Sequence, residues 1–264
     1  MQYQQILPPP SLQHIVESFW VLESSTKANN KIFEPVTDGC PGLIFHNKSM
    51  FYAPEEKMPS LFVYGQTLQR RTIYLGESIS LLGVCLHPSA LKYLFGYDAF
   101  ELSDDCFDIK TLIQNYNSDL LLQLQESNAT EERIDHLCRF FIDQLAHVRT
   151  KPDQDLAYAL QTIVQQAGRV SLKALQQELR ISERTFERKF KSYVGVSPKL
   201  FTRICRFQSS LKQLRAGKYQ KLSDIAFDNG YSDQSHFIRD FKRFSGHLPL
   251  QYQQANPLVE NFSI

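Results

Sequence analysis

The sequence predicts an α+β chain of two domains, one strand-rich with helices at its end and one all-helical. Three observations carry that expectation. The hydrophobic period changes near residue 109, from short β-branched and aromatic runs to a 3.6-residue repeat. Charge divides near residue 150: residues 1–150 hold 11 Lys+Arg against 18 Asp+Glu, and residues 151–264 hold 18 against 10, although the whole chain is only +1. Finally, the helical part matches itself at an offset of 50 to 51 residues, a period that marks a duplicated supersecondary unit.

Taken in order, Pro8-Pro9-Pro10-Ser11 followed by Leu12, Ile15, Val16 and Phe19 at helical spacing predicts a short opening helix. Strands are expected at Lys31–Val36, Gly42–His46, Leu61–Thr67, Arg71–Leu75 and Ile79–Leu86, separated by Gly, Pro, Asp and Asn. Ala90, Leu91, Leu94 and Phe95 predict a helix after Pro88. Leu120, Leu121 and Leu124, then Ile134, Leu137, Phe140, Phe141 and Leu145, predict two helices over about 110–148, with a fresh start near Thr130. Pro152 stops a helix and Asp153 can cap the next. The expected domains are therefore 1–150 and 151–255, with a tail at 256–264. Beyond the border, Leu156, Leu160, Ile163 and Val164 mark one helix, Leu172, Leu175 and Leu179 a second, and Phe186 and Phe190 a third. A long fourth, carried by Phe201, Ile204, Phe207, Leu211 and Leu214, closes at Gly217.

The self-match is specific. Leu172 pairs with Leu222, Leu175 with Ile225 and Ile181 with Tyr231 at offset 50; Phe186 pairs with Phe237, Arg188 with Arg239, Phe190 with Phe241 and Pro198 with Pro249 at offset 51. One residue is inserted near the start of the second unit's last helix. Each copy has the layout of a helix-turn-helix: a short striped helix, a turn with Gly230 in the second copy, then Ser182 or Ser232 as expected N-cap. Glu183 or Asp233 follows, suiting the positive end of a helix. With the Phe pairs turned inward, Arg184, Thr185, Glu187, Arg188 and Lys191 face outward in one copy. Gln234, Ser235, Ile238, Arg239 and Lys242 do so in the other. Arg can read guanine, Gln adenine, and Lys can neutralise phosphate.

Composition removes other classes. No apolar run approaches the roughly 20 residues of a membrane helix, and the start, MQYQQILPPP, lacks the features of a signal peptide. A cytoplasmic protein is expected. Five cysteines without a Cys-x-x-Cys pair suggest neither zinc nor a disulfide framework. No phosphate-binding Gly-rich loop or His-Glu-x-x-His pattern occurs, so no cofactor and no metal are expected. His46 and His87, at strand ends, are read as separately hydrogen-bonded histidines rather than paired ligands, and Cys85 near His87 as a strand end rather than a nucleophile pair. Trp20, Phe45, Phe62, Tyr64 and Tyr74 are candidates to line an effector pocket, though aromatic residues on strands are usually core.

The segments SERTFERKFKSYVGVSPKLFTRICRF and LSDIAFDNGYSDQSHFIRDFKRFSGHLPLQY resemble the DNA-binding domain of the AraC/XylS family of transcription regulators, over about residues 153–253. The resemblance implies two helix-turn-helix units joined by one helix at about Pro198–Ala216. Their recognition helices would enter successive major-groove segments about 34 Å apart. It implies base-facing positions at Arg184, Glu187, Arg188, Gln234, Ser235, Ile238 and Arg239, with Ser182, Thr185, Lys191, Ser232 and Lys242 on the DNA backbone. The first unit departs from the pattern at Gln176, where a small residue is usual, and at Arg180, where a turn Gly is common. YQQILPPPSLQHIVESFWVLE, PVTDGCPGLIFH and LLGVCLHPSALKYLFG resemble sensor domains attached to some members, which implies a barrel-like fold and dimer contacts near 110–148. The expected protein is a sequence-specific regulator, activator or repressor, and not an enzyme. Double-stranded DNA is its partner, and RNA polymerase, a small-molecule effector and a second copy of the chain are candidate partners. The alternatives are an enzyme carrying a helix-turn-helix passenger and a protein-interaction adaptor.

Overall fold

The strand Val16–Ser24 (β2) runs through the middle of the N-terminal domain, where the Pro-rich start predicts a helix. Only a single 3-10 turn, Pro10–Leu12, follows the prolines. Phe19, Trp20, Val21 and Leu22 are all buried. A strand covered on both faces shows no alternation, so its apolar run mimics helical spacing. In this computed structural model the described residues are 2–24, 31–33, 36–47, 50–51, 57–68, 73–75, 79–113, 119–148 and 150–255.

An antiparallel sheet of six strands takes the order β1 (Gln2–Ile6), β2, β8 (Ile79–Leu86), β4 (Gly42–His46), β6 (Leu61–Tyr64), β9 (Cys106–Asp108). A second sheet joins β3 (Lys31–Phe33), β7 (Ile73–Leu75) and β5 (Met50–Phe51). The expected strands Gly42–His46 and Ile79–Leu86 form with those bounds, and the expected Leu61–Thr67 ends at Tyr64; Glu34, Pro35, Arg71 and Thr72, at the ends of the other two, lie outside the described residues. The barrel-like expectation is corrected: the edge strands β1 and β9 do not pair among the described residues, so the sheet stays open. Its two faces are covered instead. On one, Phe19, Leu43, Phe45, Leu61, Val63 and Val84 pack against helices α1 (Ala90–Phe95), α2 (Ile109–Leu112), α3 (Asp119–Glu126) and α4 (Thr130–His147). On the other, Trp20, Ile44, Phe62 and Leu81 meet Met50 and Ile73 of the second sheet. Gly83 is required there, because a Cβ would lie 1.9 Å from the Trp20 indole.

The C-terminal domain is helical: α5 (Gln154–Gln165), α6 (Leu172–Glu178), α7 (Glu183–Val194), α8 (Pro198–Arg215), α9 (Leu222–Asp228), α10 (Gln234–Ser245) and α11 (Pro249–Ala255). Asp153 caps α5 as its position predicts, accepting from the Leu156 N–H. The long helix α8 separates two cores. Phe201 and Cys205 pack with Leu156, Leu175, Phe186 and Phe190 of the first unit. Ile204, Phe207, Leu211 and Leu214 pack with Ile225, Ala226, Phe237 and Phe241 of the second.

Contacts at two places join the domains. Tyr93 of α1 lies 5.6 Å from Tyr193 of α7, ring to ring, and its hydroxyl accepts from the Asp153 N–H. Beside it, Asp98 accepts from Ser192 at 2.5 Å and from Lys92. Farther along, the Thr37 N–H donates to the Phe244 carbonyl at the end of α10, and Gln208 of α8 donates to the Thr37 carbonyl.

Candidate nucleic-acid interface

The turns of the two helix-turn-helix units match down to a single hydrogen bond. After α6 the Ile181 N–H reaches back to the Gln176 carbonyl at 3.1 Å; after α9 the Tyr231 N–H reaches the Ala226 carbonyl at 2.9 Å. The turn residue between them has a left-handed backbone in both copies, with φ 73° at Gly230 and φ 53° at Arg180. Arg180 therefore takes up the turn geometry that glycine provides more easily. Gln176 is half-buried where Ala226 is fully buried.

The helices α7 and α10 follow. Ser182 caps α7, accepting from the Thr185 N–H at 3.2 Å. In the second unit the expected cap is corrected by one residue: Asp233, not Ser232, caps α10, accepting from the His236 N–H at 2.7 Å. Ser232 is thus the inserted residue, and its hydroxyl donates to Asp233. The bond from the His236 N–H, and next that from Ser232, hold the Asp233 carboxyl below the usual carboxylate range. Both helices end in a left-handed glycine, Gly195 and Gly246, whose N–H bonds the Lys191 or Lys242 carbonyl.

Of the residues expected to face bases, Arg184, Arg188, Gln234, Ser235 and Arg239 are exposed. Glu187 and Ile238 are half-buried, and Ile238 leans on the second unit's core. Of those expected on the backbone, Ser182, Ser232, Lys191 and Lys242 are exposed and Thr185 is half-buried. Lys191 sits 5.5 Å above the Phe100 ring of the N-terminal domain, so part of its reach is engaged within the molecule.

An acidic residue missed in the sequence anchors α10. Asp240 is 2% exposed and accepts two bonds from the Arg203 guanidinium of α8, at 2.5 and 3.2 Å. The bond to Asp240 raises the Arg203 pKa. The available signal was a carboxylate on the stripe of Phe237, Phe241 and Phe244, where a charge needs a partner.

The structure brings together three of the five candidate effector residues. Trp20, Phe62 and Tyr64 belong to the face shared with the second sheet, Phe45 points to the helix-covered face, and Tyr74 stands half-buried on β7. His46 and His87 each bond a separate backbone carbonyl, of Pro59 and Gln13, both at 2.8 Å. Cys85 is a free thiol that accepts a hydrogen bond from the Cys40 thiol, and among the described residues no group of three His, Cys, Asp or Glu could hold a metal.

A family model described as a helix-turn-helix domain matches residues 175–255, and one described as a domain of unknown function matches residues 4–108. No curated protein matches the chain. Among solved structures the chain is similar to ToxT from Vibrio cholerae strain O395, at 15% identity over 97% of this chain and 99% of that one, with a TM-score of 0.48. Unsaturated-fatty-acid-bound ToxT matches at 17% identity, over 88% and 92%, with a TM-score of 0.47. The xylose-binding transcription activator XylR matches at 15% identity, over 48% and 40%, with a TM-score of 0.35.

Proposed function

We propose that this chain, whose residues 175–255 form an AraC-type helix-turn-helix domain, is a transcription regulator that reads DNA with α7 and α10 together. One observation carries the reading. Two amphipathic helices, each capped at its N-terminus and each packed on α8, expose Arg184 and Arg188 in the first unit and Gln234, Ser235 and Arg239 in the second. These side chains suit base edges in a major groove. Ser182, Thr185, Lys191, Ser232 and Lys242 are assigned to phosphates, and Glu187 and Ile238 to the margins of the base-reading surface. Fluorescence anisotropy with the duplex upstream of the chain's own gene tests this. Arg188→Ala and Arg239→Ala are each expected to weaken selective binding by about 1–3 kcal/mol. Binding without sequence preference at physiological salt would overturn the reading.

In this reading the N-terminal domain, placed at 1–150, transmits an effector signal. The support is that it touches the C-terminal end of both recognition helices, through Asp98 at Ser192 and through Thr37 at Phe244. RNA polymerase and a second copy of the chain complete the proposed partners. Exposed Leu122 on α3 and Ile142 on α4 support the latter. The protein so read acts in the cytoplasm, as an activator or a repressor, and turns over no substrate. Among the described residues, no helix is long and apolar enough to cross a membrane.

A further inference from the structure

We infer that Arg169 is a positioning residue that fixes the distance and twist between the two recognition helices, and so the half-site spacing the protein accepts. The inference rests on the DNA-reading function proposed above. Arg169 lies in the bend between α5 and α6, before the first helix-turn-helix, yet its side chain ends on the second. Its Nη1 donates to the Asp228 carbonyl at 2.8 Å, at the C-terminus of α9. A guanidinium there satisfies a carbonyl that the helix leaves open and meets the negative end of the helix dipole. The side chain is held at its root as well: the Arg169 N–H and its Nε both donate to the Gln166 carbonyl, at 2.9 and 3.3 Å.

The bend that delivers it is tight. Ala167 and Gly168 have φ of 49° and 71°, and a Cβ on Gly168 would lie 2.1 Å from the Thr202 carbonyl of α8. Arg206 of α8 holds the turn of the second unit as well. Its Nη1 donates to the Gly230 carbonyl at 3.3 Å, and its guanidinium lies 5.7 Å above the Tyr231 ring. A Cβ on Gly230 would lie 3.0 Å from the Arg169 Cγ, so the arginine stem packs closely over the second turn. Besides the indirect link through the N-terminal domain, the two units are therefore joined directly twice: by α8 along its length, and by a bridge from the root of unit one to the turn of unit two. A single helix leaves the units free to rock about its axis; a second attachment off that axis removes the freedom.

The test uses the full-length chain and duplexes that it selects from a randomised pool, remade with the half-sites one base pair closer or farther apart. One base pair moves a half-site by about 3.4 Å and about 34°. Wild type is expected to lose about ten-fold or more at either displaced spacing, since such a shift moves base contacts out of register. Arg169→Ala and Arg169→Lys are both expected to bind the three spacings within about three-fold of one another, because Lys keeps the charge but lacks the planar fork. Should the variants weaken on all three duplexes equally, keep the spacing preference and lower the salt slope, Arg169 is a phosphate contact and the inference falls. If wild type selects no duplex, the regulator reading fails instead, and hydrogen exchange without DNA decides the bridge. Arg169→Ala is expected to speed exchange at Gly230 and Tyr231 while Arg180 and Ile181 keep their rates. Unchanged exchange at Gly230 and Tyr231 would overturn the bridge.

Discussion

At the scale of single residues, the two copies of one turn give a matched comparison. Gly230 and Arg180 hold the same left-handed backbone, but only Gly230 does so without a Cβ penalty. That penalty is about 1–2 kcal/mol for an L-residue, and glycine loses roughly 0.5–1 kcal/mol of it to backbone entropy. Arg180→Gly is therefore expected to raise stability by about 0.5–1 kcal/mol in urea unfolding. Asp38 predicts a pH effect. Burial pushes its carboxyl up to about 7, against the pull of its bond from the Cys40 N–H. The folded chain then keeps a proton that the unfolded chain has lost above about pH 4. Stability falls as pH rises from there to about 7 and levels off above it. Asp38→Asn is expected to flatten that decline between pH 5 and pH 8; the same slope in both proteins would remove Asp38 from the account.

At the scale of elements, caps decide where the recognition helices begin. Ser182→Ala removes an acceptor for the Thr185 N–H and is expected to lower stability by about 1 kcal/mol, with α10 still capped by Asp233. Thermal unfolding of the variant checks it. What the sequence made legible follows the same logic. The centres of β4 and β8, the helices α4, α7, α8 and α10, and the duplicated unit were readable because local patterning and packing agree there. The strand β2 was not, because burial on both faces erases alternation. The Gln-rich β1 and the three-residue β9 were not, because edge strands draw their order from a neighbour rather than from their own composition. The outward placement of Arg184, Arg188, Gln234 and Arg239 was legible from the apolar stripe alone. The grip of Arg169 on α9 and of Arg203 on Asp240 was not, since each spans tens of residues and no short motif encodes it.

At the scale of the whole molecule, the N-terminal domain sits against the ends of the helices that would read DNA. Lys92 above all, and then Ser192, hold the Asp98 carboxyl below the usual range. Asp98→Ala is expected to loosen that contact, so that thermal unfolding, monitored by calorimetry, separates into two transitions where wild type gives one. A single unchanged transition would mean that the remaining contacts, at Tyr93, Phe100 and Thr37, couple the domains without Asp98. The tandem units also differ from one another, in their outward side chains and by the inserted Ser232. A palindrome reads the same from either end, but a pair of unlike readers in fixed order does not. One chain on a duplex would thus point along it, giving the bound site a head and a tail, and a promoter would need its operator in one orientation even before a second copy arrives.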